Sequence, residues 1–126
     1  MSYWNKRKLA FGYAFKGIAM LFKGEAHAKI HLVAACAVII AGFLFDIQPW
    51  EWCAVIICIG GVFMGEAFNT ALENLCNRVS TDFHPLIKAA KDISAGAVLL
   101  FVCASVAVGL IIFLPKIFKL IFCNTF

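Results

Sequence analysis

Charged residues are scarce in this sequence. They make up 14% of its 126 residues, against 63% for hydrophobic residues, whereas a soluble domain carries about 25% charged residues. No basic segment with interleaved aromatic residues occurs outside residues 3–23, so we expect no nucleic acid partner. The sequence also has no G-x-x-x-x-G-K-[ST] loop and no protein-kinase signature set, which are common phosphate-binding patterns of soluble enzymes. The low share of charged residues together with the high share of hydrophobic residues indicates an integral membrane protein.

The six cysteines form no metal-binding or disulfide pattern. None belongs to a C-x-x-C pair, and most lie within apolar segments. A zinc site or a disulfide framework has a recognisable spacing that is absent here. We therefore interpret the cysteines as small apolar packing residues. They are Cys36, Cys53, Cys58, Cys76, Cys103 and Cys123.

The apolar segments predict an all-α membrane protein. A helix needs about 20 apolar residues to cross ~30 Å of hydrocarbon, and three segments approach or exceed that length. Basic and aromatic residues share the N-terminal segment, a mixture typical of an amphipathic helix at the membrane surface. We predict one domain over residues 1–126, with the amphipathic helix at 3–23 and transmembrane helices at 30–47, 50–77 and 93–114. Pro115 would end the third span, and the tail after it would lie along the interface.

The distribution of basic residues predicts the orientation. Six Lys or Arg residues precede the first span, three lie between the second and third, two follow the third, and none lies in the turn at 46–51. Basic residues are enriched in cytoplasmic loops. We therefore expect the N-terminus and the connection at 78–91 to be cytoplasmic.

A polar stripe, formed by Glu66, Asn69, Glu73 and Asn77, continues directly from the second apolar run. At about 100° per residue, these side chains fall within roughly an 80° arc of one helix. Carboxylates beside hydrocarbon are costly and usually face a partner, a cavity or a substrate. The alternative is a helix that emerges into water with a solvated polar face, although Glu66 directly adjoins the apolar run.

The same residues carry a family resemblance. The pattern E-x-x-N-T-A-L-E at 66–73 resembles the signature of the prokaryotic diacylglycerol kinase family, which includes the undecaprenol kinases. The resemblance extends over roughly residues 6–114. Further segments that match the family in order are Gly12-Tyr13-Ala14-Phe15-Lys16-Gly17, Glu25, Asp82-Phe83-His84, Ala90-Lys91-Asp92 and Ala95-Gly96-Ala97-Val98-Leu99.

The resemblance implies a lipid kinase of the bacterial inner membrane that forms homotrimers. Such an enzyme transfers the γ-phosphate of ATP to the primary hydroxyl of a membrane lipid, with Mg²⁺ or another divalent cation as cofactor. The segment at 12–17 favours diacylglycerol as the lipid. Undecaprenol is the alternative, because Lys29-Ile30-His31-Leu32 resembles the undecaprenol kinase branch. A remote alternative is a membrane adaptor or transporter subunit whose polar stripe carries protons or ions.

The resemblance also assigns roles to individual residues. Glu66 would be the general base, a role that suits a carboxylate whose charged form is disfavoured beside hydrocarbon. Glu25 and Glu73 would bind the metal through their oxygens, supported by Asn69. The alternative for Glu25 is an i,i+4 ion pair with Lys29. The implied nucleotide-binding residues are Lys6, Tyr13, Glu25, Asn69, Glu73, Asp82, Phe83, His84, Lys91 and Asp92.

Three further features have competing interpretations. His27 and His31 stand at i,i+4, a spacing that can bind zinc. Because no third ligand is evident, we expect both side chains to face the interface or the lipid substrate instead. Asp92 either contacts the nucleotide or forms a helix-surface pair with Lys88. Asn77 stands where the family usually has Asp, a change that we expect to weaken cation binding.

Overall fold

The computed structural model describes residues 1–24 and 26–123. Four helices occur in the order α1 (Tyr3–Gly24), α2 (Ala26–Leu44), α3 (Pro49–Val79) and α4 (Pro85–Cys123), and no strand occurs in this part of the chain. Helices α2, α3 and α4 are each long and apolar enough to cross a membrane. The predicted all-α class with three candidate membrane-spanning helices is therefore confirmed, whereas the surface position of α1 remains a prediction.

The turn between α2 and α3 is a helix cap with one residue in the left-handed region. Asp46 has a φ of 46°. Its N–H bonds to the carbonyl of Phe43 at 3.3 Å, and the N–H of Ile47 bonds to the carbonyl of Gly42 at 3.1 Å. These two bonds form a Schellman motif, which ends a helix. Helix α2 therefore stops at Leu44, before the predicted end at 47, and it starts at Ala26, before the predicted start at 30.

Proline starts both long helices. Pro49 is the first residue of α3 and Pro85 the first residue of α4, where the missing N–H of proline would have no helical partner in any case. In α3, a side-chain oxygen of Glu51 also accepts the backbone N–H of Gln48 at 2.7 Å. This contact satisfies a polar group at the helix start, as in a capping box.

Helix α4 passes through Pro115 and ends at Cys123. The prediction that Pro115 ends the third span is therefore wrong, and residues 116–123 continue the helix rather than forming a separate tail. A proline costs one backbone hydrogen bond, but apolar membrane helices tolerate it when neighbouring groups compensate. The next residue, Lys116, is held by Glu51 of α3, with 3.0 Å between Nζ and Oε1.

Helix α3 is the centre of the fold, because it contacts all three other helices and packs most extensively on α4. The ring of Phe101 occupies the space beside Gly61, where a Cβ would lie 2.1 Å from its Cε1. A small core of Ile47, Val55 and Ile112 closes the end of the bundle near the α2–α3 turn. The polar stripe lies toward the other end of α3.

Most large apolar side chains face outward. Ile57, Leu100 and Ile111 are 67%, 75% and 70% exposed, which is typical of helices that contact lipid or another protein. Helix α1 has few contacts with the rest of the chain. One of them is the edge-to-face pair of Phe22 with Phe63 of α3, whose ring centroids lie 5.2 Å apart.

The cysteine prediction fits the structure in part. The five cysteines whose side chains are described are all free. Cys76 is buried and Cys58 is half-buried, as packing residues should be, but Cys36, Cys53 and Cys103 are exposed. These three lie on the outer apolar surface rather than in the interior of the chain.

Candidate active site

The polar stripe of α3 starts inside the bundle and ends outside it. Glu66 is 5% exposed, Asn69 and Glu73 are half-buried, and Asn77 is exposed. At 1.5 Å per residue, Glu66 and Asn77 are about 16 Å apart along the helix. The alternative of a solvated polar face is therefore wrong for Glu66 and fits only the last turn of the stripe.

The buried carboxylate of Glu66 is paired with His31 of α2. His31 Nε2 lies 3.0 Å from Glu66 Oε1, and the two side chains are 21% and 7% exposed. The contact compensates a carboxylate that would otherwise be buried alone. Among the described residues, Glu66 Oε2 forms no hydrogen bond. This oxygen can therefore accept a proton from a hydroxyl group, as a general base must.

Asn69 and Glu73 form a second polar unit further along α3. Asn69 Nδ2 donates to Glu73 Oε1 at 3.2 Å, while Asn69 Oδ1 is buried and has no hydrogen-bond partner in the described part of the chain. An unpaired buried acceptor is costly, and a cation or a ligand donor would satisfy it. Mg²⁺ prefers oxygen ligands and usually binds one or two carboxylates together with phosphates and water. These oxygens therefore fit a magnesium ion.

The other predicted metal ligand, Glu25, lies outside the described residues, and so does its alternative ion pair with Lys29. In residues 1–24 and 26–123, no three His, Cys, Asp or Glu side chains form a metal-binding group. A magnesium ion at Glu73 and Asn69 would therefore take its remaining ligands from Glu25, from nucleotide phosphates or from water.

Lys91 of α4 marks the outer end of the polar stripe. Its Nζ donates to Asn77 Oδ1 at 3.0 Å. Because the Asn77 amide is neutral, it holds the ammonium group in place without neutralising it. A cation placed in this way is suited to phosphate oxygens, but the length of the stripe separates it from Glu66.

The other predicted nucleotide residues nearby are exposed. Asp82, Phe83 and His84 lie in the turn between α3 and α4. Asp92 forms an ion pair with Lys88 one helical turn away. The sequence left this pair open as the alternative to a nucleotide contact of Asp92. An exposed pair of this kind contributes little stability, so the pair leaves Asp92 accessible to a nucleotide.

The predicted residues on α1 and at the start of α2 form no side-chain hydrogen bond or ion pair with the described residues of this site. Lys6, Tyr13 and His27 are exposed, and Lys16 Nζ lies 5.9 Å from the centroid of the Tyr13 ring. The predicted residues that the structure pairs within the site are His31, Glu66, Asn69, Glu73 and Lys91.

Neither pairing between helices was predicted from the sequence. His31 lies 17 residues before Gln48 and Glu66 lies 18 residues after it, whereas Asn77 lies 3 residues before the turn at 80–84 and Lys91 lies 7 residues after it. In an antiparallel helix pair, residues equally distant from the connecting turn lie at the same level. The position of the turn between α2 and α3 is therefore a signal that would have identified the His31–Glu66 pair as a candidate, whereas the Asn77–Lys91 pair has no such signal.

Comparison with known proteins agrees with the resemblance in the sequence. Residues 12–113 match the family model of prokaryotic diacylglycerol kinase. An undecaprenol kinase of Bacillus subtilis is 44% identical over 113 residues, which cover 90% of this chain and 92% of that protein. A diacylglycerol kinase of Synechocystis is 34% identical over 113 residues, which cover 89% of this chain and 65% of that protein. A diacylglycerol kinase of Escherichia coli K12 is 27% identical over 97 residues, with coverages of 77% and 80%. The chain therefore belongs to the prokaryotic diacylglycerol kinase family, whose named members are kinases.

Proposed function

We propose that this protein transfers the γ-phosphate of ATP to the primary hydroxyl of a membrane lipid, with Glu66 as general base. The observation that carries this proposal is the buried Glu66 carboxylate, which His31 holds by one oxygen at 3.0 Å. Its other oxygen is available to a substrate. The pair sits on two helices that are apolar enough to span a membrane, so a lipid hydroxyl reaches it from the bilayer.

The reaction requires few parts from the protein. Glu66 Oε2 accepts the hydroxyl proton as the lipid oxygen bonds to the γ-phosphorus. The bond between that phosphorus and the bridging oxygen breaks, and ADP leaves with the electron pair. Catalysis of phosphoryl transfer rests mainly on positioning and on neutralising charge at the phosphate oxygens.

Glu73 and Asn69 are the proposed magnesium ligands, together with Glu25 as implied by the family resemblance. The unpaired buried Asn69 Oδ1 supports this assignment, since a bound cation would satisfy it. The ion supplies positive charge to the phosphates of the nucleotide. Glu73 and Asn69 lie between Glu66 and Lys91 along the site, which suits a nucleotide extended along the polar stripe.

Undecaprenol is our first choice of lipid. The segment at 12–17 favours diacylglycerol, but the undecaprenol kinase of Bacillus subtilis shares 44% identity over 92% of its length, more than the diacylglycerol kinase of Synechocystis shares. The segment Lys29-Ile30-His31-Leu32 resembles the undecaprenol kinase branch of the family. His31 of this segment contacts the proposed base, which further supports undecaprenol as the substrate. Diacylglycerol is the second candidate.

We further propose a homotrimer in the bacterial inner membrane, with the N-terminus and the site on the cytoplasmic side. The uneven distribution of basic residues supports this orientation. The exposed apolar side chains of the spans leave room for contact between copies. A second chain could also bring α1 residues such as Lys6 and Tyr13 to a nucleotide that they do not reach within one chain.

Phosphate transfer from labelled ATP in detergent micelles tests the function. Undecaprenol and diacylglycerol are supplied separately, each with and without Mg²⁺. We expect labelled lipid with at least one acceptor, and none after chelation of the metal. A folded protein that labels neither lipid in the presence of Mg²⁺ would contradict the proposal.

A further inference from the structure

An elongated cavity of about 210 Å³ lies between α2, α3 and α4. Its lining is apolar except for the residues His31 and Ser105, and the Ser105 hydroxyl is occupied by a hydrogen bond to the carbonyl of Phe101 at 2.8 Å. An apolar cavity of ~150 Å³ suffices to hold a benzene-sized molecule. This cavity can therefore take up a segment of hydrocarbon chain.

The cavity runs along the helix axes. On α2 its lining extends from His31 to Val38, and on α3 from Phe63 to Val55. At 1.5 Å per residue, these spans are about 10–12 Å long. One leaflet of a membrane provides ~15 Å of hydrocarbon. The cavity therefore lies parallel to a lipid chain in one leaflet, and its length fits within the hydrocarbon of that leaflet.

One end of the cavity coincides with the candidate active site. His31 lines the cavity and also contacts Glu66 Oε1 at 3.0 Å. A chain in the cavity therefore places its polar end beside the base. Two other lining residues, Ala34 and Val106, are exposed, so a chain can enter sideways from the bilayer.

We propose that this cavity binds the first segment of the hydrocarbon chain of the lipid that is phosphorylated. The inference rests on the proposed function and adds the site that positions the acceptor. His31 then has two roles, because it closes the cavity and holds the base. A volume of about 210 Å³ accommodates a segment of one chain, which suits a polyprenol, whose hydroxyl ends a single chain.

Gly109→Leu tests the proposal by filling the cavity at the end far from His31. Gly109 lines the cavity, and a Cβ at this position meets nothing within 4 Å. Gly60→Leu is the matched control, because its Cβ also meets nothing within 4 Å, and Gly60 lines not this cavity but an adjoining groove that shares Val55 and Ile59 with it. Each variant receives farnesol and a five-carbon prenol or, if wild type uses only diacylglycerol, dioleoylglycerol and dihexanoylglycerol.

The measured quantity is the ratio of kcat/KM for the long acceptor to that for the short acceptor. We expect Gly109→Leu to lower this ratio about tenfold, a typical discrimination by an apolar pocket, and Gly60→Leu to leave it unchanged. An unchanged ratio in Gly109→Leu, with or without a general loss of activity, would overturn the proposal. A wild-type protein that phosphorylates no acceptor would instead contradict the proposed function.

Photolabelling of the wild-type protein tests the cavity without a variant and without turnover. A long-chain prenol or diacylglycerol that carries a diazirine near the head of its chain is irradiated in micelles with the protein. We expect cross-links to peptides that line the cavity near His31, such as that around Val102. Cross-links confined to α1 or to the groove beside Gly60 would overturn the proposal.

Discussion

His31 Nε2 and Glu66 Oε1 lie 3.0 Å apart, and this contact joins the first membrane-spanning helix to the proposed base. The contact leaves the second oxygen of Glu66 available to a substrate. It also fixes the orientation of a carboxylate whose side chain is only 7% exposed. His31 is therefore a positioning residue for Glu66 in the proposed reaction.

Replacement of His31 by Ala is expected to lower kcat by about 10–100-fold, because the buried Glu66 carboxylate would lose its partner, a loss of ~1–3 kcal/mol. The KM for ATP should stay unchanged, since the proposed nucleotide contacts lie further along α3. Initial rates at varied ATP measure both constants.

The matched variant is His31→Gln, whose amide N–H can still donate to Glu66. We expect it to recover most of the activity that His31→Ala loses. Equal losses of kcat in both variants would show that the imidazole does more than donate one hydrogen bond. Wild-type kcat values in both variants would contradict the positioning role of His31.

The Lys91–Asn77 contact predicts the effect of restoring the Asp that the family usually has. Asn77→Asp would give Lys91 an ionic partner in place of a neutral one. We expect the KM for ATP to rise about 2–5-fold, the size of an exposed ion pair, because the carboxylate competes with phosphate for Lys91. Nucleotide titrations at fixed Mg²⁺ measure this change. An unaltered KM together with a lower Mg²⁺ requirement would instead support a role for position 77 in cation binding.

The packing of α3 on α4 predicts opposite effects at two adjacent glycines. Gly61→Ala would put a Cβ into the ring of Phe101 and should destabilise the protein by about 1–3 kcal/mol, as overpacking does. Gly60→Ala meets no neighbour within 4 Å and should be neutral or stabilise the helix by up to ~1 kcal/mol. Thermal unfolding in detergent compares the two variants. Equal melting temperatures would contradict the close approach at Gly61.

The helices and the polar stripe were predictable because they depend on local pattern. An unbroken apolar run followed by Glu66 and Asn69 on one face specifies a helix that carries polar groups out of the membrane. The Schellman cap at Asp46 was harder to predict, because Asp is less common than Gly in the left-handed region. Ile47 looked like part of the span, although it is the buried contact of the cap.

The partner of each polar side chain was not predictable from local pattern. Such contacts depend on how each helix is rotated and shifted relative to its neighbour. The course of α4 past Pro115 depends on tertiary structure in the same way, since Lys116 is anchored by Glu51 on α3. The proposed role of Glu25 rests on the family resemblance, and its position lies outside the described residues.

The Glu51–Lys116 contact predicts a strong dependence of stability on both partners. The Glu51 side chain is 6% exposed and that of Lys116 27%. Lys116→Met removes the cationic partner of the buried Glu51 carboxylate, which keeps only its contact with the Gln48 N–H, and should lower the melting temperature. The double variant Glu51→Gln with Lys116→Met should recover part of that loss, which a double-mutant cycle measures. Additive losses would show that the two residues do not interact.

The most direct test compares the two buried glutamates of α3. Glu66 and Glu51 are 5% and 4% exposed, but only Glu66 lies on the polar stripe. We expect Glu66→Gln to reduce phosphate transfer to the lipid by at least ~100-fold, the contribution of a general base. Glu51→Gln, measured per amount of folded protein, should keep the wild-type rate. Transfer by folded Glu66→Gln at the wild-type rate would contradict the role of Glu66 as the base.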